Sequence, residues 1–161
     1  MDYLWTPWRY RYIASEKKDD GCVFCTAAAA NDDAATLIVL RGKKNFIILN
    51  RYPYTSGHVM VVPYAHIADL PSAEPNTLAE MMQLAQQVQT ALEKTYHPQG
   101  YNIGMNLGRA AGAGIVGHLH LHVLPRWAGD ANFMTVVGET RVEPEELSTT
   151  YERLRAALAS T

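Results

Sequence analysis

The chain lacks several features that would assign it to a class at once. No apolar run approaches the roughly 20 residues needed to cross a bilayer. The opening MDYLWTPWRYRYI is aromatic and basic, without the apolar stretch of a secretory signal. These absences predict a cytoplasmic protein with no membrane partner. Charge of one sign is missing as well: 14 Lys and Arg stand against 16 Asp and Glu, for a net charge of -2. No global basic field is there to hold a long nucleic acid, although local donors can still hold a small phosphate ligand. Cysteine occurs only at Cys22 and Cys25. In a reducing compartment that pair reads as thiols or metal ligands rather than as a structural disulfide. There is no GxxxxGK[ST] sequence, which removes the P-loop.

What remains is an ordinary globular balance. The 161 residues are 48% apolar and 19% charged, which suits one domain around a single sizeable core. Residues 1–35 show no clean period and include the alanine-rich CTAAAANDDAA, so they read as an N-terminal extension with little regular structure. Its aromatics (Tyr3, Trp5, Trp8, Tyr10, Tyr12) are too many to leave in water and are expected to pack on the body or on a partner subunit. TLIVLR and NFIILN flank Gly42-Lys43-Lys44 and predict a hairpin. GHVMVVP, YNIGMNL and HLHLHVLPR predict three further strands. Leu78, Met81, Met82, Leu84, Ala85, Val88 and Leu92 follow a helical period over 74–95, ended by His97-Pro98. A last helix is expected over 143–159, led in by Pro144 and Glu145. Strands in runs rather than alternation with helices give an α+β class: an antiparallel five-stranded sheet, one long helix and a C-terminal helix.

GAGIVG (112–117) matches the dinucleotide fingerprint letter for letter, but a β-patterned segment follows it where a helix is required. CVFC has no βαβ surroundings to make it a thioredoxin-like pair. GHLHLHVLPRW is different. Three of the six histidines, His118, His120 and His122, alternate with Leu119, Leu121 and Val123. On a strand, all three imidazoles face one way and the leucines face the core. Such a row could be a solvated strand face, a metal site, or a set of nucleophilic and acid–base groups along an extended substrate. Neighbouring members would lie about 7 Å apart and the outer two about 13 Å, so a regular strand cannot bring all three to one metal. A phosphoanhydride chain has dimensions that fit the third reading. The preceding loop, residues 106–114, is rich in small residues that let backbone N–H groups turn toward an anion.

His118-Leu119-His120-Leu121-His122-Val123-Leu124 resembles the signature of the histidine triad superfamily. CVFC, LNRYPYTSGHVMVVPYAHI and LHVLPRW are similar to other segments of that family. LWTPWR and PRWAGDANFM look most like its dinucleoside polyphosphate branch. The resemblance implies a nucleotidyl hydrolase or transferase acting on a dinucleoside polyphosphate such as diadenosine tetraphosphate, built as a homodimer in which two sheets join. The nucleophile falls on His120, and His122 would donate to the bridging or α-phosphate oxygen. The ribose contact falls on Asn50 and a phosphate-contacting amide on Asn106. Where better-known members carry Gly-Gln-Ser or Gly-Gln-Thr, this chain has Ala113-Gly114-Ile115, so only backbone donors are expected from Gly114 and Ile115. The family's zinc ligands fall on Cys22, Cys25, His66 and His118, a closed Cys2His2 set. His58 and His97 are left as structural or surface residues. The implied organisation is an extension over 1–35 carrying CxxC and a catalytic domain over 36–161. A phosphoramidate hydrolase, a nucleotide-binding module without turnover, and an enzyme with its metal on the triad are the competing readings.

Overall fold

The computed structural model describes residues 21–130 and 145–160. The aromatic N-terminal stretch, the end of PRWAGDANFM, and Pro144 lie outside the described residues.

The hairpin forms as its pattern predicts, from β1 (Ile38–Arg41) and β2 (Asn45–Leu49). β3 (Val59–Pro63) pairs with β2, and the long helix α3 (Pro75–Tyr96) follows. Pro75 opens that helix, where its missing N–H costs nothing, and His97 ends it in the left-handed region at φ 46°. β4 (Gly100–Gly104) and β5 (Leu121–Arg126) complete an antiparallel sheet of order β1-β2-β3-β5-β4. The C-terminal helix α4 (Leu147–Ala159) starts later than its sequence pattern suggests. Glu145 sits outside it, accepting from Thr150 Oγ1 at 2.8 Å and pairing with Arg153 at 2.8 Å.

The sheet is covered on both faces, which is why β2 and β3 are buried at every position. On one face Val39, Ile47, Leu49, Val59, Val61, Leu119, Leu121 and Val123 meet the buried sides of α3 and α4, including Met81, Val88, Leu92, Tyr151 and Leu154. The other face is the unexpected one. Residues 23–36, expected to have little regular structure, form two short helices, α1 (Val23–Ala29) and α2 (Asp33–Thr36). Phe24 and Ala27 of α1 are buried against Ile38, Phe46, Ile48, Met60 and Val62. Seven residues are too few to hold a helix alone. Burial of Phe24 against the sheet supplies what the alanine-rich sequence does not.

The triad strand also differs from its pattern. The ladder begins only at Leu121, so His118, Leu119 and His120 precede it. The alternation survives nonetheless, because Leu119 N–H donates to the Ile67 carbonyl at 2.6 Å and Leu119 is 1% exposed in the helix-side core. That anchor turns His118 and His120 to the α1 face, where both rings meet Phe24.

Candidate active site

His120 is nine-tenths or more buried, and its Nδ1 lies 2.7 Å from the carbonyl oxygen of His118. A carbonyl only accepts, so Nδ1 carries the proton and the neutral ring keeps its lone pair on Nε2. Burial holds the pKa below the ordinary imidazole value, with the His118 carbonyl opposing in part. An uncharged ring with a defined lone pair is what a nucleophile needs.

His122 is fixed from the other side. Its ring centroid lies 4.9 Å from that of His120, edge to face. His58 Nε2 stands 2.9 Å from His122 Nδ1, while the Tyr54 backbone N–H donates to His58 Nδ1 at 3.2 Å. The Tyr54 donor forces His58 to protonate Nε2, which donates to His122 Nδ1. The neutral His122 ring therefore carries its own proton on Nε2. Asn50 supports this chain: its Nδ2 lies 3.3 Å from His58 Nδ1, and its Oδ1 accepts from Tyr52 N–H at 2.9 Å. Tyr54 stacks on the His58 ring at 4.9 Å between centroids.

His58 is the residue that sequence reasoning passed over. It is 1% exposed, and Gly57 at φ +80° precedes it, where a Cβ would stand 2.9 Å from a Leu92 methyl. A usable signal was its place two residues before Met60, which pairs with His122 across β3 and β5. That pairing cannot be known without the sheet order. His58→Leu should lower kcat by about 10- to 100-fold, the kinetic equivalent of the 1–3 kcal/mol for an unpaired buried group. Steady-state kinetics on the variant checks this.

Burial, and then the neighbouring His120, push the His122 pKa down to about 4. An unfolded histidine titrates near 6.5. Between those values the unfolded chain binds a proton that the folded site refuses, so this contribution is present above pH 6.5 and is lost as pH falls toward 4. Denaturation midpoints should accordingly decline through that window, and an NMR titration should find His122 still neutral at pH 6. A His122 midpoint near 6.5 would contradict the burial argument.

The second cluster sits on the far side of His118. Cys22 Sγ is 3.2 Å from His118 Nδ1, and Cys25 Sγ is 3.3 Å from His66 Nδ1 and 3.6 Å from His118 Nδ1. All four donor atoms lie within 4.8 Å of one another. His118 Nε2 is 2.8 Å from the Pro63 carbonyl. Its proton therefore sits on Nε2, and the Nδ1 lone pair is turned toward the sulfurs. Two thiols and two imidazoles, one of them tautomerically set, fit a tetrahedral metal of the zinc type.

The remaining expected residues lie in the loop between β4 and the triad. Asn106 is half-buried two residues past β4. Gly108 (φ +81°) and Gly112 (φ +83°) bracket a single 3-10 turn, Arg109–Ala111, in conformations that L side chains rarely adopt. Ile115 packs against the α1-side core, and Gly114 is exposed. No helix follows GAGIVG, and the loop runs directly into β5.

A five-stranded antiparallel sheet with three alternating histidines at the start of β5 defines the class. The HIT domain profile matches residues 31–129. The chain belongs to the HIT domain family, a family of nucleotide hydrolases and transferases. It is 40% identical to the AP-4-A phosphorylase of Mycobacterium tuberculosis, over 93% of this chain and 80% of that protein. A Zn-bound histidine triad family protein from Mycobacterium smegmatis superposes with a TM-score of 0.72 at 34% identity, over 88% of this chain and 95% of the other. A hypothetical histidine triad nucleotide-binding protein from Sulfolobus tokodaii gives 0.70 at 27% identity, over 86% and 93%.

Proposed function

We propose that the protein cleaves dinucleoside polyphosphates, diadenosine tetraphosphate foremost, through a covalent nucleotidyl-histidine on His120. The observation that carries this reading is the pair of fixed tautomers: a lone pair on His120 Nε2 beside a proton on His122 Nε2. Likeness to the M. tuberculosis AP-4-A phosphorylase supports the substrate. His120 Nε2 attacks the α-phosphorus, forming N–P as the P–O bond to the leaving nucleotide breaks. His122 Nε2–H keeps its proton and hydrogen-bonds the departing oxygen, which leaves as the nucleotide anion. An acceptor oxygen from water or phosphate then attacks the same phosphorus: a new P–O bond forms, N–P breaks to free neutral His120, and the acceptor's proton passes to solvent. Backbone N–H groups of Gly114 and Ile115, and the Asn106 amide, hold the phosphate oxygens.

Products distinguish the acceptors. Diadenosine tetraphosphate with water gives AMP and ATP, whereas with inorganic phosphate it gives ADP and ATP. Chromatography of the reaction with and without phosphate reads this directly. Unchanged substrate in both arms would leave a binding module without turnover, and exclusive cleavage of nucleoside phosphoramidates would favour that other hydrolase reading.

Asn50 is proposed to hold the ribose. Its amide is engaged with His58 and Tyr52 N–H, yet one further donor and one acceptor site remain on it. Asn50→Ala should weaken nucleotide binding by about 1–3 kcal/mol. Calorimetry with ribose and dideoxyribose nucleotides checks this, and equal affinity for both would remove the ribose role.

Zinc is the proposed occupant of Cys22, Cys25, His66 and His118, and thiolate ligands of this kind suit the reducing cytoplasm. On this reading residues 21–35 bring two of the four metal ligands to the domain that follows. A homodimer through β4 is also proposed. That strand is a sheet edge, with Ile103 44% and nearby Leu107 40% exposed, and such edges invite pairing.

A further inference from the structure

Cys25 adjoins Phe24 and Cys22 lies two residues before it, which places both close to the wall of the nucleophile. Phe24 is 2% exposed, with its ring centroid 5.2 Å from that of His120 and 5.4 Å from that of His118. A second link runs through His118. Its Nδ1 faces both sulfurs at 3.2 and 3.6 Å, and its carbonyl accepts the Nδ1 proton that sets the His120 tautomer at 2.7 Å. The thiols thus reach His120 by packing on one side and by a hydrogen bond on the other. Both cysteines are partly accessible and His66 is exposed, so a small oxidant can reach the cluster.

The two thiols are free, so their sulfurs must approach each other to bond. The donor atoms lie within 4.8 Å of one another, whereas a disulfide needs S–S near about 2.05 Å. Closing the pair turns the sulfurs from the imidazoles toward each other. His118 Nδ1 then loses both of its sulfur partners.

We propose that Cys22 and Cys25 form a reversible thiol switch, in which oxidation by a hydroperoxide disables His120. This rests on the nucleophile role given to His120 above. One thiolate attacks the peroxide: an S–O bond forms, the O–O bond breaks, and the expelled hydroxide takes up a proton. The second thiolate attacks the sulfenic sulfur: S–S forms, S–O breaks, and a second hydroxide is protonated to water. Two electrons pass from the two sulfurs to the peroxide. A metal held by the cluster loses both sulfur ligands and is released. A reducing dithiol reverses the bond by exchange.

The test uses the full chain purified without chelator and titrated with hydrogen peroxide. Four quantities are followed: intact mass after alkylation, metal appearing on a chromogenic chelator, the imidazole 1H–15N spectrum, and turnover of diadenosine tetraphosphate. The expected result is a Cys22–Cys25 disulfide, about one zinc released per disulfide as for a closed four-ligand site, and loss of the His120 Nδ1–H signal. Turnover should fall about 100-fold, as for a nucleophile displaced by an ångström. Dithiol with added zinc should restore all four. The switch is overturned if the disulfide forms while the His120 signal persists, or if turnover falls while both cysteines still alkylate. Untreated protein without turnover would instead overturn the proposed function, and the metal and imidazole readouts would still decide the switch.

Discussion

Replacing His120 with alanine is expected to leave nucleotide binding intact while costing turnover more than the about 10²–10⁴-fold typical of a general acid–base residue. Two neighbours make this prediction specific. The His118 carbonyl at 2.7 Å holds the proton on Nδ1, and burial keeps the ring uncharged, so Nε2 has one task left. His118 cannot take over, because its Nδ1 faces Cys22 and its Nε2 faces Pro63. His122 cannot either, since its Nδ1 is taken by His58 and its remaining nitrogen bears a proton. Nucleotide affinity, measured on the variant by calorimetry, should stay within a few fold, because the ribose contact is proposed for Asn50 and not for this ring. Stereochemistry supplies the stricter check. Two in-line displacements at one phosphorus, each inverting it, give net retention. A substrate chiral at the α-phosphorus that emerges inverted would mean direct attack by the acceptor.

Loss of the metal is expected to have the second largest effect. Protein purified without chelator should contain about one zinc per chain, the content of one closed four-ligand site. Stripping it, or replacing Cys22 with alanine, should cost about 4 kcal/mol if the site is saturated a thousandfold, and so lower Tm on the order of 10 °C. The protein should not unfold outright. The helix-side core of Met81, Val88, Leu92, Tyr151 and Leu154 does not depend on the cysteines, whereas Phe24 and Ala27 do through α1. Calorimetric melting with and without metal would show whether the loss is confined to that face. Metal-free protein of equal stability and equal activity would count against the site.

Much of the fold was legible because its signals are local. The short apolar runs in NFIILN and GHVMVVP and the helical period from Leu78 to Leu92 need only neighbouring residues, and β2, β3 and α3 formed where they point. The alternation of His118, His120 and His122 with leucines likewise foretold which side chains share a face. The family resemblance rested on the same residues, and the domain profile bears it out.

What could not be read from the chain depends on partners far apart along it. α1 lacks an amphipathic pattern, and only the sheet surface of Ile38, Phe46 and Met60 makes a helix of it. Leu119 is pinned by Ile67, so two of the three histidines stand before the ladder rather than on it. His58 gained its place from His122, a contact across 64 residues, and Cys22 meets His118 across 96. Residue types along a sequence say which nitrogens exist. Which of them holds a proton is settled by the acceptor or donor that folding brings within hydrogen-bond distance, and here that choice gives three identical side chains different free nitrogens.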